Sequence, residues 1–409
     1  MGTIVAPRLT GMRLYPKLLR TVGLFPFVWA MLGTGRVSMA QNLKWGPFQG
    51  SGGFTLGSEF IDNANTSHDH AKGDVLLTIG PTLNGGVYLP FAGGEQFTLT
   101  MAATYVQSLA GVSPDSFGAP MTAALILPVY VAKWTVVASD TFNFTNDPLQ
   151  NTFAVNRSTI EEYLNTANIS ATRQFGKFST TFAVQRQDYI YPSVSSQGQT
   201  DYQFSFTPSL MLQEGYSVFV RTAYGLNYVV GSGLQDSTAY SIDFGVNGQI
   251  TPSLSGTIEL GWTYDHLSAT GTNKAQNING VDSNVTLSYT HPLRPNTTHS
   301  ISFYRSPGVS LLLLNSSLTQ ATGVNYTISH RLNRNLTLSP TVGWVHLVSL
   351  YGPTTLETAD LIQVGFGLQR TFTKHLVGTF SYLHQTRDSS ITANNYDVNE
   401  VTVNAIYTF

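Results

Sequence analysis

The sequence predicts an all-β fold: a transmembrane antiparallel up-and-down β-barrel of about 18 strands, with 16 as the smaller alternative. Three observations predict it: two-faced segments in which apolar and neutral polar residues alternate, a tight turn that recurs about every 40 residues, and a scarcity of charge. Of the 409 residues 42% are hydrophobic, yet only 11% are charged, against roughly 25% in soluble domains. Ser, Thr, Asn, Gln and 37 glycines supply the remaining polarity. After residue 40 no stretch approaches the roughly 18 consecutive apolar residues of a membrane helix. None keeps the i, i+3, i+4, i+7 spacing of an amphipathic helix either.

Residues 1–40 carry Arg8, Arg13, Lys17, Arg20 and Arg36 and no acidic residue. This basic segment runs into TVGLFPFVWAMLGTG, which is short for a span and is broken by Pro26 and Gly33. Small residues follow at Ser38 and Ala40. The order predicts a secretory signal peptide cleaved after Ala40, with Met12 as an alternative start, and assigns residues 41–409 to the barrel. That remainder holds 16 basic and 23 acidic residues, a net of −7, so no nucleic-acid partner is expected. The absence of cysteine excludes disulfide frameworks, thiolate metal sites and cysteine nucleophiles.

Alternation then dominates. FTLTMAATY places Phe97, Leu99, Met101, Ala103 and Tyr105 on one face, and YSVFVRTAYGLNY places Tyr216, Val218, Val220, Tyr224, Leu226 and Tyr228 against Ser217, Arg221, Gly225 and Asn227. LSGTIELGWTY sets Leu254, Ile258, Leu260, Trp262 and Tyr264 against Ser255, Thr257, Glu259 and Thr263. Successive side chains of a strand point to opposite faces. Short turns are expected near 90–95, 131–134, 174–178, 213–216, 250–254, 291–296, 332–336 and 372–375. Longer polar stretches alternate with them, giving 18 strands, eight turns and nine loops with both ends of the barrel on the turn side. A soluble sandwich would show charge on its outer faces. Here the polar faces are neutral, which suits a barrel with lipid outside and a polar lumen inside. Aromatic residues cluster near strand ends: Trp262, Tyr264, Trp344, Tyr202 and Tyr228 toward the loops, and Trp134, Tyr216, Tyr407 and Phe409 toward the turns, as interfacial girdles require.

With DVLLTIGPTLNGGVYL early in the pattern and QRTFTKHLVG as a strand-turn-strand unit, residues 49–409 resemble the Gram-negative outer-membrane β-barrels of the broad porin class. The resemblance implies a bacterial outer-membrane location, with membrane lipid, lipopolysaccharide and the barrel-assembly machinery as partners. It also implies that the last strand is read by that machinery, at Val401, Val403, Ala405, Tyr407 and Phe409. Only about eight residues after Ala40, QNLKWGPF, precede the first candidate strand, which leaves no room for a plug or a passenger domain.

A porin-like channel for passive diffusion of small polar solutes is the expected function. The alternatives are a conduit for polysaccharide export and a non-conducting structural or adhesive barrel. The longest loop, 146–161, is third in order and offers Asp147, Arg157, Glu161 and Glu162 as a mixed-sign constriction or a cover for the rim. Arg221, Asp243 and Glu259 lie on polar faces of neighbouring strands, where they either contact a solute or satisfy one another. SLLLLN at 310–315 is apolar where a loop should be polar and reads best as a strand extension. His68, Asp69 and His70 lack a regular metal-binding scaffold, so no metal or other cofactor is expected. His299 beside Ser300 has no identifiable third group, and no enzymatic role is expected.

Overall fold

The computed structural model describes residues 43–46, 48–89, 94–113, 115–118, 121–131, 133–145, 162–191, 198–230, 235–269, 274–308, 318–351 and 357–409. Residues 1–40, where a signal peptide is expected, and Asp147, Arg157, Glu161 and the 310–315 segment lie outside them. The strands in chain order are β1 (Leu43–Trp45), β2 (Phe48–Ile61), β3 (Asp74–Leu89), β4 (Gly94–Ala102), β5 (Thr104–Ser108), β6 (Ser116–Gly118) and β7 (Met121–Val131). Then follow β8 (Trp134–Thr145), β9 (Glu162–Phe175), β10 (Phe178–Ile190), β11 (Gly198–Gln213), β12 (Tyr216–Val230), β13 (Ser237–Thr251) and β14 (Leu254–Leu267). The last seven are β15 (Gln276–Thr290), β16 (Thr297–Gly308), β17 (Leu318–Asn333), β18 (Leu336–Tyr351), β19 (Thr358–Thr371), β20 (Leu376–Ser389) and β21 (Tyr396–Thr408).

These make 18 staves, the larger of the two expected numbers. β4 and β5 share one register on β3 and count as one stave. Their break at Ala103 faces Pro81, whose carbonyl accepts the Ala103 N–H at 3.0 Å but which has no N–H to return. β6 and β7 likewise continue one another along β5 and β4. Every neighbouring pair is antiparallel, and β21 pairs with β2 from Gly53↔Thr408 to Ile61↔Glu400, closing the ring. Among the described residues each stave pairs with a stave on either side, the continuous ring that lipid demands. The six short turns that the described residues cover in full, at 174–178, 213–216, 250–254, 291–296, 332–336 and 372–375, lie where the sequence places them. Gly176 at φ +64° and Gly215 at φ +80° supply the left-handed conformation that two of them require.

One element departs from the expectation. The segment before the first stave is not a bare tail: Leu43–Trp45 folds back on Phe48–Gly50 as an extra hairpin strand through Gly46. β2 begins at Phe48, within one residue of the start expected after QNLKWGPF. A three-residue strand is too short to show a period, so alternation could not reveal it.

The faces follow the pleat. Phe182, Val184, Phe204, Phe244, Leu260, Trp262, Val281 and Ile362 all point outward as exposed apolar side chains, with Phe244 at 59% and Leu260 at 57%. That belt is the reverse of a soluble protein's surface and matches a hydrocarbon-facing wall. The girdles are present: Tyr224, Tyr240 and Tyr264 meet in series as tilted rings, Tyr264 stacks on Trp262, and Tyr202 meets Tyr228 edge-on, all toward the loop ends. At the turn end His375, Tyr407 and Phe409 are in ring contact.

The apolar core sits inside the loop end at the closing seam, where Ile61, Ala64, Leu76, Tyr396 and Val398 pack with Val106 and Val112. Polar clasps hold the loops over it. The Asp62 carboxylate accepts the backbone and side-chain N–H of Asn399 at 2.7 and 2.6 Å. Asp74 accepts the Ser108 hydroxyl at 2.6 Å and the Ser113 N–H at 2.8 Å.

Glu357, in the loop before β19, accepts bonds from Arg387 at 2.7 Å, Ser389 at 2.5 Å and Asn394 at 3.0 Å. Burial alone would push its carboxyl up, but the bonds from Ser389 and Asn394 and the charge and bond of Arg387 together hold it below its ordinary value. A depressed folded value means stability that is present above the unfolded value of about 4.3. It is lost as the pH falls through the folded value. Hydrogen-exchange protection of the Ser389 and Ile391 amides should therefore drop below about pH 4. Glu357→Gln should flatten that pH dependence; an unchanged acid profile in the variant would show that another group controls this end.

Candidate functional site

The inner wall of β11–β15 gathers six charged side chains on neighbouring strands. Alternation decides it. With Tyr202, Tyr224, Tyr240, Trp262 and Val281 outward, the intervening Asp201, Arg221, Asp243, Glu259, Asp265 and Asp282 turn inward.

Arg221 and Asp243 stand directly opposite in the β12–β13 ladder. The guanidinium reaches both neighbours: Nε lies 3.2 Å from Asp243 Oδ2, and Nη2 lies 2.7 Å from Glu259 Oε1 on β14. Asp243 is 1% exposed and Glu259 5%, while the Arg221 side chain keeps 39% of its surface. A planar fork suits this task, since one cation meets two carboxylates on successive strands. Gly261 makes room for it. A Cβ there would sit 1.9 Å from Asp243 Oδ1, so only glycine lets the carboxylate lie against the β14 backbone.

The other acids differ in how well they are held. Asp201 accepts bonds from Gln199 at 2.8 Å and from Asn227 at 2.5 Å. Asp282 lies beside Gly261 in the ladder. Asp265, 8% exposed, opposes Ala239 and Ile278, which offer no donor side chain. Asp265 and Asp282 rim a recess of about 170 Å³ over Ala223, Gly225 and Ala239, with Gln203 on its far side. The small floor residues create the hollow.

Of the residues singled out in the sequence, Arg221, Asp243 and Glu259 come together as one ion-paired unit. Glu162 opens β9, with its backbone opposite Thr145. Asp201, Asp265 and Asp282 were missed, although their phase relative to Tyr202, Tyr264 and Val281 marks the inward face. His299 and Ser300 point to opposite faces of β16. The His299 ring bonds the Tyr326 hydroxyl at 2.7 Å on the outer side. His68 lies 3.7 Å from Asp69, and among the described residues no three metal-type ligands converge. The terminal strand is placed as follows: Val401, Val403, Ala405 and Tyr407 face outward between β20 and β2, and the Phe409 N–H bonds the Gly52 carbonyl at 2.8 Å.

No known family profile matches the sequence, and no curated protein matches it. Among solved structures, OccAB3 of Acinetobacter baumannii aligns over 88% of this chain and 99% of its own at 12% identity and a TM-score of 0.45. A BenF-like porin from Pseudomonas fluorescens Pf-5 aligns over 88% and 99% at 9% identity and 0.46. The siderophore receptor PirA of Pseudomonas aeruginosa aligns over 88% and 80% at 10% identity and 0.43. Such identities and TM-scores assign this chain to no group among them. Its own closed 18-stave ring, apolar outside and polar within, is that of a Gram-negative outer-membrane β-barrel.

Proposed function

We propose that the protein is a porin-like channel through which small polar solutes diffuse passively across the outer membrane. One observation carries the reading: 18 staves close on themselves with the neutral polar faces turned inward. A ring of that number encloses an aqueous lumen, whereas eight strands leave space only for side chains. Width sieves by size, and the charges gathered on β11–β15 add a weak selection by charge. The turn end would face the periplasm and the loop end the exterior, as in bacterial barrels generally.

The chain refolded into planar lipid bilayers should give discrete conductance steps in potassium chloride. A barrel that inserts, as judged by its heat-modifiable band on gels, yet stays electrically silent would overturn the reading.

A further inference from the structure

We infer that the recess between Asp265 and Asp282 is a binding site for the ammonium groups of an organic cation, and that compact aliphatic amines are the solutes this channel favours. The inference rests on the channel reading for the second clause alone; the site stands on its own geometry.

The inner face of β11–β15 carries five carboxylates, Asp201, Asp243, Glu259, Asp265 and Asp282, against the single guanidinium of Arg221. Arg221 is already engaged by Asp243 and Glu259. Asp201 is held by amides. Asp265 has neither, although it is more than nine-tenths buried and lines the recess. A buried carboxylate without a donor is costly, and Asp243 Oδ1, also buried, has no hydrogen-bond partner either. Asp243 does not line the recess, so the condition that a cation entering from the lumen relieves is the one at Asp265.

The shape specifies the cation's class. Ala223, Gly225 and Ala239 offer methyl and backbone surface to an aliphatic stem, and Gln203, Ser241, Thr263 and the two carboxylates supply the polar part of the lining. The register sets Asp282 opposite Gly261 and Asp265 opposite Ile278, four positions or about 13 Å apart along the ladder, so each carboxylate takes its own ammonium and a compact diamine spans the two with charge-assisted hydrogen bonds. A metal ion fits less well, because no three metal-type side chains converge here among the described residues. The recess lies toward the loop half of the wall: Asp265 is two residues from the end of β14, and Asp282 is in the first half of β15. A solute entering from the exterior would meet it early.

The test uses 1,4-diaminobutane as probe and the refolded full chain in detergent micelles, with titration calorimetry as readout. The wild type should bind the diamine and not the dianion succinate. Asp265→Asn should weaken binding about tenfold, the loss of one charge-assisted bond, and Asp282→Asn similarly. Asp188→Asn, on the outward face, should leave it unchanged. The heat-modifiable gel band verifies that each variant is folded. No diamine binding, or equal affinity in wild type and Asp265→Asn, would overturn the site. Calcium binding that excludes the diamine at lower concentration would overturn it in favour of a metal site. In bilayers the diamine should reduce single-channel current in the wild type and not in Asp265→Asn. Conductance without this block would overturn the solute preference while leaving the channel reading intact, and silent bilayers would overturn the channel reading, and with it the preference, while calorimetry still decides the site.

Discussion

Arg221→Met is expected to lower the stability of the refolded barrel by about 3 kcal/mol, the lower end of the range for breaking a buried pair from one side. The substitution keeps the length and apolar stem of the side chain, so packing changes little. What changes is charge. Asp243 and Glu259 remain buried on adjacent strands with no cation between them, and two like charges at diagonal positions of one ladder repel. The estimate stays at the lower end because the guanidinium is itself partly exposed, and water shares its screening. Arg221→Lys should fall between wild type and Met, since a single ammonium cannot fork to both carboxylates. In an Asp243→Asn/Glu259→Gln background the Met substitution should cost far less, the non-additivity expected within one network. Urea unfolding followed by tryptophan fluorescence reads all four. An unchanged midpoint for Arg221→Met would show that the unit holds nothing together.

Phe409→Ser is expected to reduce severalfold the heat-resistant, assembled form recovered from outer membranes. The ring lies edge-on to Tyr407 at 5.6 Å and covers Gly52, whose missing Cβ would stand 3.1 Å from it. It is 37% exposed, so its burial contributes on the order of 1 kcal/mol, and the backbone bond to Gly52 survives the change. Refolding into detergent should consequently proceed nearly as in the wild type. The contrast separates recognition from stability. Equal losses in cells and in detergent would assign the ring a packing role, and normal assembly in cells would remove it as a recognition element.

Much of the barrel was legible in the sequence because a membrane strand must satisfy one simple rule along its whole length. Val218, Val220 and Tyr224 against Arg221 and Gly225, or Leu260 and Trp262 against Glu259 and Thr263, show the period of two without reference to any other segment. The turns at 176–177 and 214–215 carry glycine at the position that needs a positive φ. The short β1 escaped because three residues cannot display a period. The break at Ala103 escaped because its cause, Pro81, is on the neighbouring strand.

The candidate site was legible only in part. That Arg221, Asp243 and Glu259 share an inward face follows from phase within each strand. Their meeting depends on register, which sets Arg221 opposite Asp243 and Asp243 opposite Gly261. A slip of one residue would turn a whole strand's polar set into lipid. Asp265 and Asp282 lie 17 positions apart in sequence, and their shared recess exists only because Gly225 and Ala239, from two other strands, leave space beside them.

By itself, then, the sequence determined fold class, face and approximate strand number, because alternation, turn chemistry and charge scarcity are local properties that the membrane enforces residue by residue. Tertiary structure alone decided which strands close the ring, which charges neutralise one another and which carboxylate is left to meet a solute. Those outcomes depend on register between segments up to the full length of the chain apart, and register is fixed only when all 18 staves pair at once.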